Sequence, residues 1–140
     1  MSKILSAKPE LAEVVVTNGF CDHPDDRVHY PERSLDVIAS NLLVNCLYDP
    51  LAAFENWFCW LKPGGAVIVM DGLFLPSGWT GIWSEAVDML PLSVCQSTAT
   101  VPYLMEKCGY NVRHVGLMSA VNARPSTRTR RYLVIAKKPD

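Results

Sequence analysis

The sequence predicts an α/β fold: a three-layer, mostly parallel sheet of about five strands that ends in an antiparallel strand pair. Three observations carry this. Two apolar runs of strand length, LDVIAS (35–40) and AVIVM (66–70), flank an amphipathic helical stretch, which is the pattern of a βαβ unit with its right-handed crossover. AVIVM is apolar throughout rather than alternating, as in a parallel strand covered on both faces. The last two strand candidates, 112–121 and 132–137, are separated only by NARPSTRTRR, too short for a helical crossover, so they pair antiparallel.

Each element has its own local reason. Val14 to Val16 form a short β-branched run, and 18–33 is rich in Asp, His and Pro, which reads as a long loop. Asp49 and Pro50 open a helix, because Asp caps free backbone N–H groups and Pro is tolerated in the first turn. Phe54, Trp57, Phe58 and Leu61 recur on one face of it, and Lys62-Pro63-Gly64-Gly65 stops it. A short helix is expected from Ile82 to Leu90. A further one carries Val101, Leu104, Met105 and Cys108 on one face, with Pro102 in its first turn and Gly109 at its end.

The 140 residues read as a single domain, with 1–13 as a flexible N-terminal segment. With 13 Lys+Arg against 14 Asp+Glu, the chain lacks the basic excess that binding to nucleic acid or to acidic membranes requires. Four Trp, five Tyr and four Phe argue against disorder. No window reaches the roughly 20 apolar residues of a membrane span, and the N-terminus lacks a signal-peptide core, so a cytoplasmic location is expected. The five cysteines are odd in number and form no CxxC pair, and they read as buried free thiols. Cys21, Asp22, His23, Asp25, Asp26 and His29 crowd one loop, but a loop edged by Pro24 and Pro31 offers no regular frame for ligands, so no metal site is expected. Arg128, Arg130 and Arg131 read as a solvated turn.

In their order, SLDVIASNLL (34–43), LKPGGAVIVMD (61–71), MEKCGYNV (105–112) and RRYLVIAKK (130–138) resemble the C-terminal half of a class I S-adenosylmethionine-dependent methyltransferase. The resemblance covers 14–138 and implies a shortened Rossmann-like methyltransferase fold, with 35–40 as its fourth strand and 66–70 as its fifth. It implies a cofactor wall made by Asp22, facing the adenine, and by Ser40, Asn41 and Leu42 at the carboxyl end of the fourth strand, where open α/β sheets place ligands. It implies a substrate side made by Asp71, Phe74, Trp79 and Trp83. Each has a plainer alternative: Asn41 terminates a strand, Asp71 caps a turn, and the aromatic residues pack a core. The family's glycine-rich first turn and its ribose-binding carboxylate have no counterpart, since the eight glycines include no GxG.

The implied activity is methyl transfer from S-adenosylmethionine to a small-molecule acceptor, with cofactor binding weak or absent in this chain alone. The rival readings are a non-catalytic interaction module and one half of a split methyltransferase. The absent first strand leaves 35–40 as an apolar edge, so pairing is expected: by the segment 14–17, by a second copy in a homodimer, or by a partner chain that supplies the missing strands.

Overall fold

The computed structural model describes residues 13–81 and 83–140, with Trp83 in its main chain only. Among them, four strands form one sheet: β1 (Leu35–Asn41), β2 (Leu61–Gly72), β3 (Asn111–Leu117) and β4 (Arg131–Lys137), in the spatial order β1-β2-β4-β3. β1 and β2 pair in parallel, and β4 runs antiparallel to both β2 and β3. Three of the four strands therefore point the same way, and β4 inserts against them. The helices are α1 (Pro50–Trp60), α2 (Trp83–Ala86), α3 (Thr100–Lys107) and α4 (Ser119–Asn122).

α1 begins as its sequence dictates: the Asp49 carboxylate accepts from Ala52 N at 2.9 Å, and Pro50 follows at the first helical position. Its buried face carries Phe54, Trp57 and Trp60 onto Val67 and Val69 of β2. α3 adds Val101 and Met105 to the same core, and the Tyr110 hydroxyl donates to the Phe54 carbonyl at 2.9 Å. Both crossover helices thus lie on one face. The geometry requires this, because right-handed crossovers that advance across a sheet in one direction deliver their helices to one side. Among the described residues the molecule has two layers where three were expected, and Ala66, Ile68 and Met70 of β2 and Leu133 and Ile135 of β4, which alternate with the buried positions, line the other face.

Several boundaries differ from the sequence expectation. The Lys62–Gly65 stretch does not end α1 as a free turn; β2 starts at Leu61, and the stretch bulges out of it, so that Leu35 pairs with Leu61 while Val37 pairs with Ala66. Gly64 takes a φ of +73°, and a Cβ on Gly65 would lie 2.9 Å from the Lys62 carbonyl, so the bulge needs both glycines. β3 stops at Leu117, not at Val121, because residues 119–122 coil into α4. The expected Ile82–Leu90 helix divides into α2 and a 3-10 turn at Val87–Met89, and Ile82 lies outside the described residues. Val14 to Val16 form no strand and stand exposed, so they do not cover the edge of β1, and the sheet has four described strands where about five were expected. Most of the expected flexible segment 1–13 lies outside the described residues.

The long loop is held in place. Pro24–His29 forms a 3-10 helix capped by His23 and Asp26. Asn56, fully buried on α1, donates to the carbonyls of Cys21 (3.1 Å) and His23 (2.7 Å), and the Trp60 indole donates to the Arg27 carbonyl at 2.8 Å. His23, Asp26 and Asn56 are thus committed to folding the loop. The five cysteines are all free and half-buried rather than buried.

Candidate functional site

The carboxyl ends of β1 and β2 open onto two cavities. One, of about 500 Å³, is bounded by Asn41, Met70 and Asp71 on the sheet side and by the loop entering β4, including Ser126, Arg128 and Arg131, on the other. The second, of about 300 Å³, is lined by Leu42, Asn45, Cys46, Phe74 and Trp79. Of the residues expected to make the site, Asn41 and Asp71 line the larger hollow and Leu42, Phe74 and Trp79 the smaller, while Asp22 and Ser40 line neither.

Asn41 and Ser40 point to opposite faces. Asn41 is exposed toward the larger cavity, whereas Ser40, paired beside Val69, is 4% exposed, and its hydroxyl has no hydrogen-bond partner among the described residues. Leu42 follows with a φ of 54°, a left-handed conformation uncommon for a residue with a Cβ, and its N–H donates to the Met70 carbonyl at 2.9 Å. The strand end is pinned to β2 while its next residue turns sharply away.

Asp71 is 1% exposed and fills a structural post: its carboxylate accepts from Asn45 N at 3.2 Å and from Gly72 N at 2.7 Å, which ties the end of β2 to the 3-10 turn at Val44–Cys46. Burial pushes its pKa up, opposed by those backbone N–H groups and by Arg131 nearby. Burial, with the Asp71 charge adding to it, also raises the Cys46 thiol. Asp22 stands on the loop before β1, where its carboxylate accepts from Tyr48 N at 2.8 Å, and it lines neither cavity. Phe74 and Trp79 stack tilted, ring centres 5.6 Å apart, and the Trp79 indole donates to the Ser93 carbonyl at 2.9 Å. Both are half-buried and line the smaller cavity, so they pack and face a hollow at once. Trp83 opens α2, and its side chain lies outside the described residues.

A strand order in which the last strand inserts antiparallel between two parallel ones, with both crossover helices on one face, matches solved proteins of one fold. A methyltransferase from Mesorhizobium loti, dependent on S-adenosylmethionine, superposes with a TM-score of 0.67 over 98% of this chain and 74% of its own, at 20% identity. One from Aquifex aeolicus gives 0.65 over 97% of this chain and 60% of its own, at 18% identity. The chain carries a class I methyltransferase fold. A family model described as a methyltransferase domain matches residues 5–69. Phosphoethanolamine N-methyltransferase 1 of Arabidopsis thaliana is 39% identical over 59 residues, 42% of this chain, and the chain spans 12% of that relative's length. Phosphoethanolamine N-methyltransferase 2 of Haemonchus contortus, solved with phosphomonomethylethanolamine and S-adenosylhomocysteine, superposes with a TM-score of 0.55 over 79% of this chain and 35% of its own, at 15% identity. Among the described residues no helix is long and apolar enough to cross a membrane.

The rim offers a few polar groups to a cofactor of the adenosyl type. The unpartnered Ser40 hydroxyl, the exposed Asn41 amide and the half-buried Asp22 carboxylate are polar groups of the kind an adenosyl moiety engages. The given sequence contains no GxG. Sequence reasoning missed the basic wall of the larger cavity. Arg131 is not in a solvated turn; it opens β4, is half-buried and faces the hollow with Arg128. Its signal was present only as arginine beside a strand start.

Proposed function

We propose that this chain forms the acceptor-side portion of an S-adenosylmethionine-dependent methyltransferase, acting on a small polar molecule, and that alone it binds the cofactor weakly or not at all. The observation that carries the reading is the 500 Å³ cavity at the carboxyl ends of β1 and β2, of small-molecule size and beside Asn41. The names of the partial relatives, phosphoethanolamine N-methyltransferases, favour an amine as acceptor.

Bound S-adenosylmethionine supplies a methyl group on a positively charged sulfur. The chain's part is to orient: Asn41 holds polar groups at the strand end, and the cavity walls place the acceptor within reach, a contribution of proximity rather than of a strong base. Asp22 and the 40–42 strand end are the groups assigned to the cofactor.

Losing the glycine turn and the ribose carboxylate removes three or four hydrogen bonds, at about 0.5–1.5 kcal/mol for neutral groups and 1.5–3 for charged ones. A micromolar site would weaken by roughly three orders of magnitude. Titration of the 140-residue chain with S-adenosylhomocysteine, read by amide chemical shifts, tests this. Shifts at Asp22 and 40–42 with a millimolar Kd are expected. Micromolar binding overturns the weak-binding statement, and no shift at those residues in several millimolar ligand overturns the cofactor assignment.

A specific observation favours a second reading, assembly with another chain. β1 is an edge strand, with Val37 54% exposed, so its outer side is open to pairing among the described residues. A partner that supplies strands there would place its own loops beside Asn41 and complete the cofactor wall.

A further inference from the structure

The smaller hollow at the rim, of about 300 Å³, differs in chemistry from the larger one. Asp71, Arg128 and Arg131 line the larger cavity, whereas the wall of the smaller contains no Asp, Glu, Lys, Arg or His. The nearest carboxylate, Asp71, stands behind the 44–46 turn and is engaged by Asn45 N and Gly72 N. An ion entering the hollow would shed hydration without meeting a free opposite charge, so the wall selects a neutral guest. Its volume lies at the lower end of small-molecule sites, roughly 300–1,000 Å³, which suits one ring or two fused rings.

Two segments build the wall, and both are fixed by the fold. In the first, the Phe74 ring lies against the backbone of Gly72 and Gly78: a Cβ on Gly72 would lie 2.7 Å from the ring atom Cε2, and one on Gly78 3.5 Å from Cδ1. Trp79 packs tilted on that ring and donates its indole N–H to the Ser93 carbonyl, while the Phe74 carbonyl accepts from the Gln96 side chain. In the second, Leu42 is turned by its left-handed backbone, and Cys46 ends the 3-10 turn that Asp71 ties down. The Cys46 thiol donates to the Asn45 side-chain oxygen at 3.0 Å, and burial favours its protonated form, so it meets a guest as a neutral, polarisable sulfur of the kind that packs on ring edges. An aromatic guest gains contact energy beyond burial when it stacks on such rings or meets them edge-on, and rings already held in place lose little freedom in receiving it. The exposed Thr80 adds a hydroxyl to the same wall.

We infer that the smaller hollow is a binding site for a neutral, planar aromatic group of one ring or two fused rings, such as a phenol or an indole, which packs against the Phe74–Trp79 pair and meets Leu42 and Cys46. The sequence resemblance implied only a substrate side at Phe74 and Trp79; the chemistry of the wall narrows it to a class of ligand. The inference goes beyond the acceptor reading of the larger cavity and does not rest on it, since the two hollows share no lining residue.

The test titrates the whole chain with phenol and indole, with cyclohexanol as a non-planar guest of similar size, and with benzoate and benzylamine as charged rings, following amide shifts. Phenol and indole are expected to shift residues 44–46 and 74–80. Phenol should bind about two- to tenfold more tightly than cyclohexanol, the range of one ring–ring contact, and more tightly than either charged ring. Bound phenol should also slow alkylation of Cys46 by iodoacetamide, mapped by peptide mass. Trp79→Leu, which keeps apolar bulk, should abolish the preference for phenol over cyclohexanol. Leu42→Asn, which suits the left-handed backbone, should weaken both guests about threefold or more, and it keeps the site testable if Trp79→Leu unfolds. Cyclohexanol binding as tightly as phenol overturns the aromatic assignment, and a charged ring binding as tightly overturns the neutral one. Phenol shifts confined to other residues, unslowed alkylation, or unchanged affinity in Leu42→Asn overturn the site itself. Displacement of phenol by S-adenosylhomocysteine would make the hollow the seat of the cofactor's own adenine and overturns a separate ligand. Phenol binding in a chain that shows no S-adenosylhomocysteine shifts leaves this result standing, and the cofactor assignment alone falls.

Discussion

At the scale of single residues, Asp71 shows how one side chain meets two demands. Its place at the end of β2, on the ligand rim, made it a candidate to orient a substrate, yet its carboxylate is consumed in holding the 44–46 turn. Burial outweighs the N–H donors and raises its pKa above the ordinary 3.8. A carboxyl whose pKa is higher in the folded than in the unfolded state binds its proton more tightly when folded. Its contribution to stability is therefore fully present below the unfolded value and is lost as pH rises through the folded value. Measured against the non-titrating Asp71→Asn, the wild-type chain should gain relative stability as pH falls from 7 toward 4, read as the difference between urea midpoints at each pH. A difference that is flat or moves the other way would show that the backbone donors dominate. The position of Asn41 was legible at the residue level, since the end of a strand alone puts it beside the larger cavity. The burial of its neighbour was not, because an alternating strand sends adjacent side chains to opposite faces, and this one leaves Ser40 4% exposed. Asp22 could not be placed from sequence either, since its carboxylate is turned by the Tyr48 N–H, from a residue 26 positions away in the chain.

At the scale of elements, α1 was the most legible, because its cap, its proline and its apolar face all lie within its own dozen residues. What the sequence hid is how it ends. The helix runs straight into β2, and Lys138, from the far end of the chain, donates to the Phe58 carbonyl at 2.7 Å and to the Leu61 carbonyl at 2.9 Å while lying over the Phe58 ring. A cation there satisfies free carbonyls and opposes the helix dipole. Lys138→Met keeps most of the aliphatic contact and removes the charge and both bonds. It should cost about 1–2 kcal/mol, with the net worth of such bonds reduced because the ammonium is only partly buried. Denaturant unfolding at constant m checks it, and a change below about 0.3 kcal/mol would mean that water serves those carbonyls as well. The same non-local logic explains α4 in place of the expected strand end. Asn122 bonds to both backbone groups of Arg131, and that pairing across the loop decides the local fold against the β-branched content of 112–121.

At the scale of the whole molecule, the topology fixes what the described residues leave open. Each crossover moves in the same direction from β1 to β3, so every helix of any length lies on one face, and the opposite face presents alternate apolar residues such as Ile68, Leu133 and Ile135. The sequence reading expected cover on both faces because AVIVM is apolar at every position; that pattern describes a strand whose second face is also meant to be buried, and among the described residues that face is only half-buried. The edge compounds this. β1 carries Val37 on its open side at 54% exposure, and Val14 to Val16, the nearest β-branched run, lie elsewhere as exposed coil. An apolar face beside an unpaired edge favours association, and two copies joined about a twofold axis are the commonest closed solution. The chain should therefore run as a homodimer in light scattering at tens of micromolar, and Val37→Lys, which sets a charge on the exposed side of the edge, should shift it toward the monomer without lowering its unfolding midpoint at high dilution. A monomeric mass for the unmodified chain at that concentration removes self-pairing and leaves a different polypeptide as the complement of β1. By register Val37 stands on the same face as Ile68 and Ile135, so Ile135→Lys is the companion substitution: a dimer lost with Val37→Lys but kept with Ile135→Lys has its contact at the edge, and one lost with both has it spread over that face.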